Sequence, residues 1–274
     1  MVVSHSAHAG VGGFAAAGVA GVAAAVEGAA AASVGVSGGT ITVVRGFDLG
    51  GRSPPARPRT AADVDNERDM TDFAEPLREE DVDPDPIAQF HVWFAAAADA
   101  GLRMPEAAAV ATAANDGAPS VRMVLVKQAD ENGFVFYTNY ESRKARELAV
   151  NPAAALLFYW DPLGRQVRIE GEIERTTSEE SEAYIRSRPR ASQMSALSSP
   201  QSRPVESRAV LEARVAELAD RYADAELPMP EAWGGFRLTP QTFEFWQNRS
   251  DRLHDRLLYR RRPEGGWTIE RLAP

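Results

Sequence analysis

Val121-Arg122-Met123-Val124-Leu125-Val126-Lys127-Gln128-Ala129, the pair Asn132-Gly133, and Phe134-Val135-Phe136-Tyr137-Thr138-Asn139-Tyr140 decide the fold class. Two runs rich in β-branched and aromatic residues around an Asn-Gly pair read as a β-hairpin, because Asn and Gly tolerate the positive φ that tight hairpin turns need. Ala107 to Ala114, followed by Asn115-Asp116-Gly117, adds a strand upstream, so the unit is a β-meander. Further downstream, Ala153 to Trp160 and Gln166 to Arg175 form a hairpin across Asp161-Pro162-Leu163-Gly164. Three more strands are predicted: Gly235 to Leu238 with Thr242 to Gln247, then Arg252 to Arg262, then Trp267 to Leu272. Helices are attached at four places. Asp85-Pro86 opens an amphipathic helix through Phe90, Trp93 and Phe94 that stops at Gly101, and Ser142 opens a short one ending before Asn151-Pro152. Thr177-Ser178-Glu179-Glu180 is a capping box for a helix through Tyr184 and Arg188, and Pro204 to Tyr222 gives a longer one. No βαβ alternation appears, so the expected fold is mainly β, an antiparallel barrel with helices attached.

Composition separates three regions. Residues 1–60 are dominated by Ala and Gly and end in an Arg/Pro run, and are expected to form a low-complexity extension without a packed core. Within them Gly10-Val11-Gly12-Gly13-Phe14-Ala15 fits the dinucleotide pattern, but no convincing strand precedes it. Ala and Gly bring little transfer free energy and no Lys or Arg precedes them, so neither a membrane span nor a signal peptide is expected, and a cytoplasmic location is. Residues 61–84 are an acidic lead segment. Between Asp63 and Ile87 eleven acidic residues stand against Arg68 and Arg78, which accounts for the whole formal charge of −9. Residues 85–274 are then nearly neutral and hold the barrel. The chain has no cysteine, which removes disulfides, thiolate nucleophiles and iron–sulfur clusters. No paired metal-ligand spacing appears, so no metal is expected, and the acidic balance argues against a nucleic-acid partner.

Cations nevertheless cluster in the neutral part. Arg122 to Lys127, then Arg143, Lys144 and Arg146, then Arg186, Arg188 and Arg190, and finally Arg249, Arg252 and Arg256 lie on or beside strands and helices. In a regular strand Arg252, His254 and Arg256 would share one face, where like charges repel unless an anion lies among them. Tyr184 and Arg188 are four apart on a helix and share its face, with Ser192 after the break at Pro189. Arg122 and Lys127 differ in parity, so both can line one site only if a bulge re-aims one of them.

The run Phe243-Glu244-Phe245-Trp246-Gln247, four residues, then Arg252-Leu253-His254-Asp255-Arg256 resembles the signature of the pyridoxamine 5′-phosphate oxidase family. The resemblance extends from about Leu77 to Pro274, through Arg165-Gln166-Val167, Ser187-Arg188-Pro189-Arg190 and Trp233-Gly234-Gly235-Phe236. It implies an FMN-binding split β-barrel, a homodimer with FMN at the subunit interface. It also implies oxidation of pyridoxine or pyridoxamine 5′-phosphate by O2 to pyridoxal 5′-phosphate and hydrogen peroxide. FMN would be held by Arg122, Met123, Val124, Leu125, Val126, Lys127, Tyr137, Thr138, Arg143, Lys144, Gln166, Gln201, Ser202, Trp246 and Arg256. The substrate would fall to Lys127, Tyr184, Arg188, Ser192, Arg252, Leu253 and His254, with Arg252 and His254 catalytic. One departure is Asp69-Met70-Thr71-Asp72-Phe73-Ala74-Glu75-Pro76, acidic where family members commonly carry a basic and aromatic lid. The alternatives are another split-barrel flavin or deazaflavin reductase, against which the Arg252 to Arg256 ending argues, and a non-catalytic flavin- or pyridoxal-phosphate-binding protein.

Overall fold

Alternating burial along the strands shows how these residues make a barrel. The computed structural model describes residues 33–37, 40–44 and 76–274. In the first unit, β1 (Ser33–Ser37) and β2 (Thr40–Val44) pair antiparallel, a hairpin inside the stretch expected to lack a packed core. The rest of residues 1–60, with the Gly10 motif, and the acidic residues 69–75 lie outside the described residues.

In the second unit α1 (Pro86–Asp99) is followed by β3 (Ala107–Ala113), β4 (Pro119–Asp130), β5 (Gly133–Asn139), α2 (Arg143–Val150), β6 (Ala153–Trp160) and β7 (Arg165–Arg175). Then come α3 (Ser178–Ser187), α4 (Arg190–Ser198), α5 (Arg208–Arg221), β8 (Trp233–Gln247), β9 (Asp255–Arg261) and β10 (Trp267–Arg271). The sheet order is β10-β9-β8-β5-β4-β3-β6-β7, every pair antiparallel, and β7 pairs back to β8. Six strands thus close a barrel, and β9–β10 extends from β8. Closure leaves β7 and β8 without free edges. Among the described residues no helix is long and apolar enough to cross a membrane.

The sequence signals for α1 hold in detail: Asp85 caps it by accepting from the Ile87 amide at 3.0 Å, and Pro86 sits in its first turn. Phe90 then packs at 5.0 Å on both Phe134 and Phe158, and Trp93 edge-on to Phe245 at 5.2 Å. These rings are almost wholly buried, and each contributes on the order of 1.5–3 kcal/mol by leaving water. Leu77, Glu79 and Asp83, from the acidic stretch, are tied to the barrel: the Leu77 amide donates to Asp255 Oδ2 at 3.1 Å, Arg271 pairs with Glu79, and the Tyr259 hydroxyl donates to the Asp83 carbonyl.

Gly235 to Leu238 with Thr242 to Gln247, expected as one strand, form a continuous 15-residue strand, β8. Pro240 within it sits at a β-bulge, where Pro240 faces Gly171 and Thr242 faces Glu170, leaving Gln241 extra. Three local expectations need correction. First, the helix expected from Pro204 begins only at Arg208. Second, Pro189 does not merely interrupt the chain: it caps a new helix, α4, which carries Ser192. Third, no strand starts at Arg252. β9 begins at Asp255, so Arg252, His254 and Arg256 do not share a strand face.

The bulge at Pro240 depends on a glycine across from it. A Cβ on Gly171 would lie 2.0 Å from the Thr239 carbonyl oxygen, an immovable main-chain atom. Gly171→Ala is expected to destabilise the protein by about 2 kcal/mol, read as a lowered denaturant midpoint. An unchanged midpoint would show that β8 is free to shift.

Candidate flavin and phosphate site

The strongest cluster lies where β3, β4, β5 and α2 meet. Ser142 caps α2, its side chain accepting from the Ala145 amide, and this places Arg143, Lys144 and Glu147 within one turn. Glu147 is buried, and its Oε2 accepts from the Thr112 and Ser120 hydroxyls, both at 2.5 Å. Arg143 Nε donates to Oε1 at 2.8 Å, and Arg122 Nη2 lies 3.3 Å from Oε2. Arg122 also donates to Thr112 Oγ1 at 2.6 Å and to Ser120 Oγ. Burial alone would raise the Glu147 pKa. The hydrogen bonds from Ser120, Thr112 and Arg143 win, and hold it at about 2.

Lys144 is different. It is 8% exposed, and its ammonium donates to Thr138 Oγ1 at 2.8 Å, Gln201 Oε1 at 3.0 Å and Ser142 Oγ at 3.3 Å, all neutral. Desolvation, aided by the Arg122 charge, pushes its pKa down to about 8. A buried ammonium with only neutral partners, beside two guanidiniums sharing one carboxylate, is a donor set short of negative charge. A phosphate group would supply that charge and accept from such donors.

A second cluster is aromatic. Tyr137 stacks on Tyr184 at 3.8 Å and 12°, and on Trp233 at 5.5 Å and 11°, while the Arg188 guanidinium lies 5.7 Å from the Trp233 ring. Burial raises the Tyr137 pKa. Gly235 lets these rings approach, since a Cβ there would meet Thr176 Oγ1 at 2.4 Å and Tyr137 Cε1 at 2.9 Å. Ser192, one turn into α4, has its amide on the Pro189 carbonyl.

The third cluster runs across β7, β8 and β9, where Gln166 faces Trp246 and Trp246 faces Arg256, along a groove of about 300 Å³. His254 comes to it by a turn instead of a strand. The Arg252 amide donates to the Arg249 carbonyl, the Leu253 amide to Asp251 Oδ1, and the Arg249 amide to His254 Nδ1 at 3.1 Å. The His254 ring thereby lies 4.7 Å from Trp246. Arg252 takes φ 64° and Ser202 φ 68°, the two non-glycine residues of positive φ among those described. Such conformations persist where surroundings over-determine them, and they gather at binding sites.

The remaining candidates divide by strand parity. Val124 and Val126 point into the core, so any part they take in a ligand site belongs to their main chain. Met123 and Leu125 are exposed on the other face, and Leu253 is exposed in its turn. The bulge that the Arg122–Lys127 spacing demands is present, with Lys127 as the extra residue between Val126 and Gln128. Lys127 nonetheless pairs with Glu106 at 3.1 Å, and among the described residues no hydrogen bond or ion pair joins it to Arg122, Tyr184, Arg188 or Ser192. Thr112, Ser120 and Glu147 are not singled out by sequence, and Trp233 enters there only within the family resemblance, without a site role. Glu147 follows Arg143 by four residues on a helix, a signal that could have found it.

Residues 94–222 match the family model described as pyridoxamine 5′-phosphate oxidase, and 233–274 match that of the pyridoxine 5′-phosphate oxidase C-terminal dimerisation region. A Burkholderia mallei protein named pyridoxine/pyridoxamine 5′-phosphate oxidase is 57% identical over 196 residues, 71% of this chain and 91% of its own. The chain belongs to the pyridoxamine 5′-phosphate oxidase family. A Rubrobacter xylanophilus protein of the same name is 56% identical over 199 residues, 72% of this chain and 91% of its own. Among solved structures, PhzG from Burkholderia lata, in complex with tetrahydrophenazine-1-carboxylic acid, superposes with a TM-score of 0.69 at 34% identity, covering 74% of this chain and all of that one. A pyridoxamine 5′-phosphate oxidase-related, FMN-binding protein from Nostoc punctiforme shares the fold at TM-score 0.54 and 19% identity, covering 68% of this chain and 97% of its own. This oxidoreductase family and the donor set around Lys144 agree in pointing to a flavin.

Proposed function

We propose that this protein is an FMN-dependent oxidase that converts pyridoxine or pyridoxamine 5′-phosphate to pyridoxal 5′-phosphate, acting as a homodimer. The observation that carries it is the buried Lys144 ammonium with neutral partners beside Arg122 and Arg143, which suits the FMN phosphate. Thr138 and Gln201 accept hydrogen bonds from that ammonium; the proposal sets Ser202 and Tyr137 beside them and assigns to the flavin ring the groove lined by Gln166, Trp246 and Arg256. The alcohol substrate and O2 give the aldehyde and H2O2, and the amine additionally takes up water and releases ammonia. When bound, FMN supplies the two-electron acceptor that O2 reoxidises.

The chain itself supplies binding and position. Tyr184 and Arg188, pre-packed on Tyr137 and Trp233, offer a hydroxyl and a guanidinium to the substrate phosphate, with Ser192 and Lys127 completing its shell. Arg252 orients the substrate ring. In His254, Nδ1 accepts the Arg249 amide, so the neutral ring carries its proton on Nε2 and presents a donor there. His254 therefore holds the substrate by donating a hydrogen bond.

The test is an anaerobic visible spectrum of the FMN-reconstituted protein before and after addition of pyridoxine 5′-phosphate. Bleaching of the flavin band, reversed by air, is expected. A band that persists would reassign the protein as a reductase of another substrate or a non-catalytic carrier. Failure to take up FMN would mean that the Lys144 cluster serves another anion.

A further inference from the structure

We propose that Glu244 is a positioning residue that aims the Arg256 guanidinium into the groove shared with Gln166 and Trp246; this rests on the assignment of that groove to the flavin ring. Phe243 and Phe245 point into the core, so Glu244 and Trp246 share the outer face of β8. Strand register sets Gln166, Trp246 and Arg256 in one row, and Arg168, Glu244 and Leu258 in the neighbouring row of the same face.

Glu244 is 3% exposed, an unusual place for a carboxylate on that face, and both its oxygens are used. Oε1 accepts from Arg256 Nε at 2.8 Å, and Oε2 from Arg168 Nη2 at 2.5 Å. Arg256 Nη1 donates to the Ala273 carbonyl at 2.8 Å. A planar guanidinium held at two nitrogens cannot turn. Nη2 is left as the one Arg256 nitrogen without a protein acceptor among the described residues, on a side chain that walls the groove together with Pro274. Arg168 is also engaged by Glu170 at 3.3 Å, so the donor this patch offers to an acceptor-rich ring edge is Arg256 Nη2. Glu244 touches the groove chemistry through Arg256, so its effect on a ligand should vanish once Arg256 can no longer be aimed.

The experiment is FMN titration of the apo-protein by fluorescence quenching, with thermal melts as the check on folding. Glu244→Gln and Arg256→Lys are each expected to raise the FMN dissociation constant about tenfold, and the double variant no more than about twofold beyond Arg256→Lys alone. A double variant weakened by the product of the two single effects would show that Glu244 acts independently of Arg256, and would overturn the proposal. So would Glu244→Gln binding FMN as tightly as the wild type, with the proposed function still standing. A wild type that binds no FMN would overturn both. If Glu244→Gln does not fold, Glu244→Asp, which keeps the charge but withdraws it by one methylene, is expected to show the same loss and the same non-additivity. Failure of both to fold would make Glu244 a residue of the barrel alone and end the proposal.

Discussion

Replacing Lys144 by methionine is expected to weaken FMN binding by about a hundredfold, while leaving the apo-protein at least as thermally stable as the wild type. The two effects have opposite signs because the ammonium is buried at a cost that only an anion offsets. Methionine keeps most of the volume without the charge. It deletes charge-assisted hydrogen bonds to a phosphate, each contributing on the order of 1.5–3 kcal/mol. The pH dependence carries the same signature. The folded state lowers the Lys144 pKa from its ordinary 10.5 to about 8. The unfolded chain therefore binds more protons between about pH 8 and 10.5, and apo-protein stability gains over that window while the full cost is present below it. A phosphate needs the protonated form. FMN affinity should thus be level below about pH 8 and fall above it by at most about tenfold per pH unit, and Lys144→Met should abolish that slope. Titrations from pH 7 to 10 on both proteins check this, and a level wild-type profile would remove Lys144 from the phosphate site.

The second large effect is on turnover. Arg252→Ala is expected to lower kcat/KM for pyridoxine 5′-phosphate by about 10²–10³-fold, with bound FMN unchanged within about twofold. The turn that presents Arg252 is held by main-chain donors: Arg252 to the Arg249 carbonyl, Leu253 to Asp251, and Arg249 to His254. Alanine meets the same positive-φ requirement as arginine, so the turn and the placement of His254 against Trp246 should survive. What disappears is the guanidinium proposed to fix the substrate, and small misplacements of a reacting group are costly. Steady-state kinetics beside the flavin-to-protein absorbance ratio distinguishes the cases. Loss of FMN in parallel with activity would return Arg252 to the cofactor site or to the fold.

Much of the architecture was legible because its causes are local. Asp85, Ser142 and Thr177 each cap the helix that the sequence assigns them, since a side-chain oxygen and an amide two or three residues on need no tertiary partner. Runs rich in Val, Phe and Tyr between turn signals located β4 and β5 to within two residues, because such residues favour strands and Asn-Gly favours the hairpin turn. Proline misled at Pro189, where its local meaning is a break. In the fold Pro189 opens α4. The parity applied to Arg252, His254 and Arg256 failed because Asp251 captures the Leu253 amide and turns the chain before β9 starts.

The sequence by itself thus determined the strands, the caps, the hairpin turns and which segments carry cations, all set by interactions over a few residues. Which cations meet was decided only by tertiary structure. Lys144 reaches Gln201 across 57 positions, Arg168 reaches Glu244 across 76, and the Leu77 amide reaches Asp255 across 178. Those meetings depend on the register of strands distant in the chain and on the closure of β7 against β8. A side chain's neighbours there are fixed by the packing of the whole barrel, and a buried carboxylate such as Glu147 or Glu244 gains its role only when that packing brings two arginines to it.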